Sequence, residues 1–309
     1  MKIVFMGTPD FAVPTLESIV KAGHEVAMVV SMPDKRKGRG KKVQFTPVKE
    51  AALRLGLEVH QPEKLNNEET LSILEDIKPD VIVVVAYGQI LRERVLNLPK
   101  YGCVNVHASV LPKYRGAAPI NWVIINGEET TGITTMLMEK GLDTGDMLLI
   151  SETKIGEREN AGQLHDRLMD MGADLLVQTL DKLEHGDVEP EKQDHDKSCY
   201  APMMDKTLGK IDWHKSAKEI DYLIRGTYPW PGAYTNYEDR VMKIIDAEPV
   251  EVESNANCGE IIEVTKKYIR IKCKEGCLDV REIQMSGKKA MTIQAYLAGN
   301  SIEQGIVLN

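Results

Sequence analysis

Apolar and polar positions along the chain fall into two textures. In the first two-thirds, short runs of consecutive apolar residues alternate with segments whose apolar positions recur every three to four residues. Met1-Lys2-Ile3-Val4-Phe5-Met6 is the first such run. Gly7-Thr8-Pro9 breaks it, and Phe11, Leu16, Ile19 and Val20 then trace a helical face that stops at Gly23. Glu25-Val26-Ala27-Met28-Val29-Val30 reads as a second buried strand and completes a βαβ unit. A helix is predicted around Glu68 to Ile77, and the run after Asp80, from Val81 to Ala86, is apolar throughout, as in strands covered on both faces. Weaker strands follow at 102–107, 134–138 and 146–150. A long helix from about Ala161 to Leu183 places Leu164, Leu168, Met171, Leu175, Leu176, Val177 and Leu180 largely on one face. The pattern predicts an α/β unit, a Rossmann-like open and mostly parallel sheet covered by helices.

The texture changes near residue 190. Residues 187–206 are charged and interrupted by Pro190 and Pro202, which marks a connector. After a helical stretch near Lys218 to Leu223, the segments 234–237, 241–245, 259–264, 268–272 and 278–285 are short, turn-bounded and alternating. These predict a small antiparallel β-barrel, OB-like in kind. The expected organisation is a catalytic domain over 1–189, a linker over 190–206 and a β-barrel domain over 207–309.

Length and composition agree with two globular domains. The 309 residues are 42% hydrophobic and 28% charged, which excludes collagenous, coiled-coil and largely disordered chains. No apolar run approaches the about 18 residues a bilayer span needs, and Lys2-Ile3-Val4-Phe5 has no signal-peptide layout, so a soluble cytoplasmic protein with no membrane partner is expected. The formal charge of −8 disfavours a protein that coats nucleic acid through bulk charge. Cys103, Cys199, Cys258, Cys273 and Cys277 are odd in number and scattered, which fits a reducing compartment. Cys273 and Cys277, with only Cys258 near them and no following histidine, lack a fourth zinc ligand, so buried thiols and no metal are expected. In the first turn Pro9 stands where a dinucleotide-binding loop needs a second glycine, which argues against NAD or FAD.

The candidate chemistry concentrates after the fourth run. In Asn105-Val106-His107 the period of two puts Asn105 and His107 on one face at a strand's carboxyl end, where open α/β sheets build their sites. Asp143, in the turn Gly141-Leu142-Asp143-Thr144-Gly145-Asp146, follows another strand and can reach the same crevice. Amide, imidazole and carboxylate form a set suited to acyl transfer without a covalent intermediate. From spacing alone, the simpler reading is a strand-end Asn and His capping loops, with Asp143 in a turn. Ser109 lacks the Gly-x-Ser-x-Gly surroundings of a hydrolase nucleophile.

These residues also carry a resemblance. Asn105-x-His107, then Ser109-Val110-Leu111-Pro112-x-Tyr114-Arg115-Gly116, then Asp143-Thr144-Gly145-Asp146, resemble the signature of the folate-dependent formyltransferases. Asn105, His107 and Asp143 match the family's catalytic asparagine, histidine and aspartate in order and separation. The resemblance implies 10-formyltetrahydrofolate as donor, an amine as acceptor, donor contacts from Ser109, Val110, Leu111 and Pro112, and a pterin pocket lined by Tyr87, Gly88, Gln89, Ile90 and Leu91. Phe5 to Ala12, Gly38 to Lys42 and Tyr228 to Ala233 extend it to the branch that acts on methionine esterified to initiator tRNA, at the start of protein synthesis. No metal or NAD is implied, and a monomer is expected.

A basic segment bears on that acceptor. Asp34 to Lys42 holds Lys35, Arg36, Lys37, Arg39, Lys41 and Lys42 against one Asp, a local charge of +5, with Gly38 and Gly40 for flexibility. Such a run is commonly a solvated surface loop. Here it follows the second strand, on the rim where the site is expected, and the resemblance makes it a tRNA-contacting insertion with Arg39 as its central arginine. Two rivals remain. A formyltransferase for a sugar-nucleotide or ribonucleotide amine shares Asn105, His107 and Asp143 but needs no charged arm. A non-catalytic nucleic-acid binder leaves those three residues without a role.

Overall fold

A computed structural model describes residues 1–37 and 42–309; Arg39 and Lys41 lie outside the described residues. The chain divides into two compact units, residues 1–116, 131–153 and 165–201 in the first and 117–130, 154–164 and 202–309 in the second. In chain order the elements are β1 (Lys2–Gly7), α1 (Val13–Lys21), β2 (Glu25–Val30), β3 (Lys35–Lys37), β4 (Lys42–Gln44), α2 (Pro47–Arg54), β5 (Val59–His60), α3 (Glu68–Ile77) and β6 (Val81–Val85). Then come α4 (Glu93–Leu96), β7 (Cys103–His107), β8 (Arg115–Gly116), α5 (Pro119–Ile125), β9 (Thr130–Leu137), β10 (Met147–Lys154), α6 (Ala161–His185) and β11 (Tyr200–Ala201). The last stretch comprises α7 (Ala217–Thr227), β12 (Tyr234–Tyr237), β13 (Arg240–Val250), β14 (Ile261–Val264), β15 (Ile269–Lys272), β16 (Cys277–Met285), β17 (Met291–Thr292) and α8 (Ile293–Leu297).

The first unit is built on a seven-stranded sheet of order β10-β9-β7-β6-β1-β2-β5. The strands from β7 to β5 are parallel, and β7 pairs antiparallel with β9. The open, mostly parallel sheet expected from the apolar runs is therefore present. Ile3, Val4, Phe5 and Met6 are all fully buried, so both faces of β1 are covered, and all five residues of β6 are buried as well. From β1 the chain builds outward in both directions, which makes the gap between β1 and β6 the topological switch point where such sheets open a crevice at their carboxyl ends. Thr8 joins the loops there: its Oγ1 donates to the Tyr87 carbonyl at 2.7 Å and accepts from the Met32 N–H at 3.3 Å.

Local signals explain the helices. Asn67 caps α3 by accepting from the Thr70 N–H, and Thr46 caps α2 by accepting from the Lys49 N–H with Pro47 in the first turn. The basic segment is not a plain loop. Its flanks form a two-stranded antiparallel ladder, Lys35 opposite Gln44 and Lys37 opposite Lys42. Below it Asp34 accepts from Lys49 Nζ at 2.5 Å and from Gln61 Nε2 at 2.9 Å. Burial works against the charge of Asp34, but the Gln61 and Lys49 hydrogen bonds prevail and hold its carboxyl below the usual range.

The second unit carries an antiparallel sheet of order β12-β13-β16-β15-β14, with β17 beside β16. Register shifts in β13 after Ile244 and Asp246, and in β14 after Ile261, bend the strands into the curl of a small barrel. Alternation sets one face inward: Ile261, Ile269, Ile271, Leu278, Val280 and Ile283 are fully buried in one core. On β15 and β16 Arg270 lies opposite Asp279, and the two form a bidentate pair at 2.6 and 2.8 Å. α7 begins with a full capping box between Ser216 and Glu219. It approaches α5 closely because Gly226 has no side chain; a Cβ there would come within 2.5 Å of Ile125 Cγ1.

Candidate active site

β7 presents the two strand-end candidates. Asn105 pairs with Val84 of β6 and Met136 of β9, and His107 lies opposite Thr134 of β9. Asn105 is half-buried, and among the described residues its carboxamide makes no hydrogen bond, so both its donors are available to a ligand. His107 is buried. Its Nε2 donates to the Tyr114 carbonyl at 2.9 Å, because a carbonyl can only accept, and its Nδ1 is 3.8 Å from Asp143 Oδ2. Asp143 accepts from the Gly116 N–H at 2.8 Å through the same Oδ2. The imidazole is thus held on one edge by the β7–β8 loop and faces a carboxylate on the other.

Backbone conformation makes this possible. Tyr114 and Asp143, the residues on the two sides of the His107 ring, both have positive φ, 59° and 51°. Gly116 reaches φ 113°, which favours glycine. A Cβ there would also lie 2.6 Å from the Tyr200 ring and 2.7 Å from the Ala201 carbonyl. The short pairing of β8 with β11, Arg115 to Tyr200 and Gly116 to Ala201, lays the connector alongside this loop.

The expected donor-binding residues divide into two groups. Ser109 is fully buried and its Oγ donates to the Lys113 carbonyl at 2.7 Å, so it is no nucleophile. Leu111 is buried, and its N–H donates to Thr134 Oγ1, which in turn donates to the Ser109 carbonyl. Tyr87 and Leu91 belong to the core of the first unit, and Gln89 braces the loop through the Leu65 N–H and the Pro62 carbonyl. The Tyr87 hydroxyl is buried without a partner, and burial pushes it up to about 12. Ile90, 82% exposed, Gly88, also exposed, and half-buried Val110 and Pro112 are the members that offer surface. Of the basic residues Lys35 is exposed, and Arg36, Lys37 and Lys42 are described through their backbone pairing alone.

An unpartnered amide donor, a buried imidazole and a carboxylate beside it can stabilise negative charge on an oxygen and accept a proton from an attacking group. The site contains groups that sequence spacing did not reveal: the Tyr114 carbonyl, the Gly116 N–H, Thr134 and, in the connector, Gln193. The Tyr114-Arg115-Gly116 run was the available signal for the first two; an isolated glutamine among charged residues gives none. A cavity of about 830 Å³ in the second unit, walled by residues including Glu128, Arg158, Lys218 and Glu251, contains none of these groups.

Comparison with known proteins follows the same division. A formyl transferase family model matches residues 1–180, and a model of the formyl transferase C-terminal domain matches residues 203–301. The methionyl-tRNA formyltransferase of Alkaliphilus oremlandii is 54% identical over 308 residues, covering 100% of this chain and 99% of that protein. The methionyl-tRNA formyltransferase of Clostridium novyi is 54% identical over 309 residues, with both chains covered completely. Among solved structures, the sugar 3N-formyl transferase WlaRD, crystallised with dTDP and 5-N-formyl-THF, superposes with a TM-score of 0.68 at 20% identity over 94% of this chain and 99% of that one. HypX from Aquifex aeolicus in complex with tetrahydrofolic acid gives a TM-score of 0.63 at 17% identity, covering 97% of this chain and 47% of that one. At such identities these two speak for the fold alone.

Proposed function

The chain belongs to the formyl transferase family, and on that premise we propose that it transfers the formyl group of 10-formyltetrahydrofolate to the α-amino group of methionine esterified to initiator tRNA. The product, N-formylmethionyl-tRNA, serves translation initiation. One combined observation carries the reading. More than half of all positions match methionyl-tRNA formyltransferases end to end, and His107 ends a parallel strand that also carries Asn105, with the Asp143 carboxylate 3.8 Å from its Nδ1.

The loops suit the donor. A pterin is flat and edged with donors and acceptors, and the Tyr87–Leu91 turn offers backbone groups next to an exposed apolar Ile90, with Val110 and Pro112 supplying apolar surface from the loop after β7. The folate supplies a formyl carbon already activated on nitrogen. Asn105 donates to the formyl oxygen as negative charge develops on it during amine attack. His107, fixed by Tyr114, adds positive charge when it also carries a proton on Nδ1, where Asp143 faces it. Asp143 takes the proton released by the amine, directly or through one water, and returns it to the departing nitrogen. The residues of 1–189 perform this chemistry, while Lys35, Arg36, Lys37, Arg39, Lys41 and Lys42 engage the phosphates of the acceptor stem, and 207–309 supports the tRNA.

The deciding assay offers 10-formyltetrahydrofolate with methionyl-initiator tRNA, and separately with a sugar-nucleotide amine, to the wild type and to His107→Ala. Formylmethionyl-tRNA is expected from the wild type alone; formylation of the sugar amine without any of the tRNA product would overturn the acceptor assignment. Arg39→Ala is expected to raise the KM for charged tRNA about tenfold, about 1.4 kcal/mol, with donor binding unchanged. Equal tRNA kinetics would remove Arg39 from the interface.

A further inference from the structure

The connector that reads as a spacer in sequence supplies a buried side chain to the active site. Gln193 is 6% exposed and makes four hydrogen bonds. Its Oε1 accepts from Arg115 Nε at 2.9 Å and Nη2 at 2.7 Å. Its Nε2 donates to the Asp143 carbonyl at 2.9 Å and the Gly145 carbonyl at 2.7 Å. Only an amide serves both sides at once, since the guanidinium needs an acceptor and the two carbonyls need a donor. Arg115 is itself 9% exposed, and among the described residues its guanidinium has no carboxylate partner. A buried cation matched to a neutral amide is an unusual choice if stability alone is served.

The connector also grips the other side of the imidazole. The Tyr114 N–H donates to Cys199 Sγ at 3.2 Å and the Arg115 N–H to the Cys199 carbonyl at 3.0 Å. Both left-handed residues flanking His107 are therefore tied to the stretch from Gln193 to Ala201, which falls between the two regions matched by the family models.

We propose that Gln193 is a positioning residue for formyl transfer: it fixes the Asp143 turn and Arg115 as one piece, so that the Asp143 carboxylate and the Tyr114 carbonyl stay on opposite edges of His107. This rests on the activity proposed above. Gln193 is buried and acts through Arg115 and the Asp143 turn, so its removal is expected to alter the rate of the chemical step and leave substrate affinity in place.

The test uses the full chain as Gln193→Glu and Gln193→Leu, measuring kcat, the KM for donor and for methionyl-tRNA, the melting midpoint, and the 15N resonances of the His107 ring. Gln193→Glu keeps an acceptor for Arg115 but sets oxygen against two carbonyls, so the fold survives while the turn shifts. Expected are a fall in kcat of at least tenfold in both variants, KM values within twofold of wild type, and displaced His107 ring resonances. A folded Gln193→Glu with kcat within twofold and unmoved ring resonances would overturn the proposal, as would a loss confined to KM. Should Gln193→Leu not fold, Gln193→Glu decides alone. A wild type inactive on both acceptors counts against the activity itself, and the ring resonances then still decide the positioning role.

Discussion

The two units solve opposite problems. In the first, every residue of β6 is buried, five of the seven strands of the main sheet run parallel, and polar groups gather at the end of β7, where Asn105 and His107 meet the Asp143 carboxylate from the β9–β10 turn. In the second, antiparallel strands alternate, one face forms the core around Ile271 and Ile283, and the polar partners, such as Arg270 and Asp279, pair across neighbouring strands. A parallel sheet covered on both faces leaves its ends as the place for reactive groups, and there left-handed residues and buried hydrogen bonds must hold them. An antiparallel sheet with one covered face sets its polar pairs across neighbouring strands, where they serve the sheet itself. Function and stability should therefore separate when each unit is altered.

The largest effect is expected at Asn105→Ala. Removing one donor to a developing oxyanion costs about a hundred- to a thousandfold in kcat. The carboxamide has no protein partner among the described residues, so the melting midpoint should stay within about two degrees; a large drop in stability would show that Asn105 belongs to the scaffold. The converse is Ile283→Ala, fully buried in the second unit, with an expected loss of about 3 kcal/mol in denaturant unfolding. The folded fraction should retain its kcat, and a parallel fall in kcat per folded molecule would contradict the separation.

The smallest and most selective change is Tyr87→Phe. The folded protein holds this hydroxyl neutral up to about 12, against an ordinary value of 10.0. Below pH 10 both states are neutral and the group has no pH dependence. As pH rises from 10 towards 12 the unfolded chain loses the proton first, so stability falls, by up to about 2 to 3 kcal/mol. Tyr87→Phe should abolish that portion of the alkaline loss and, by removing a buried unpaired hydroxyl, add about 1 kcal/mol at neutral pH. Steady donor KM in this variant would assign any folate contact at this residue to its backbone; an increased KM would assign it to the hydroxyl.

Sequence exposed what depends on periodicity. The continuous apolar runs predicted β1, β2 and β6, alternation predicted the antiparallel strands, and the period of two brought Asn105 and His107 to one strand end. It also matched the helix over 68–77 within its bounds. Short elements escaped. α5 begins at Pro119 with no side-chain cap, and β8 and β11 are two residues each, too brief for any period. α2 had a readable start in Thr46-Pro47. The pairing within 34–44 was masked by charge, which reads as loop. Within the site, the period of two brought Asn105 and His107 together, and the resemblance of the surrounding motifs singled them out with Asp143, a residue type common in turns. Their supports were not legible, since the Tyr114 carbonyl and the Gly116 N–H are backbone atoms and Gln193 acts across about fifty to eighty positions of chain.

The division into units carries a consequence for how the molecule can be taken apart. The chain changes unit after residues 116, 130, 153, 164 and 201, so the second unit is assembled from two inner excursions as well as the tail. A cut at residue 206 would remove the β-rich tail yet leave α5 and residues 154–164 without the unit they help to form, baring Val123 and Ile124, which are buried. Neither half is a cassette. A gene fragment ending at the connector should yield a sticky, poorly soluble product, and exchanging tails between relatives would need matched changes at 117–130 and 154–164 to give a well-behaved chimera.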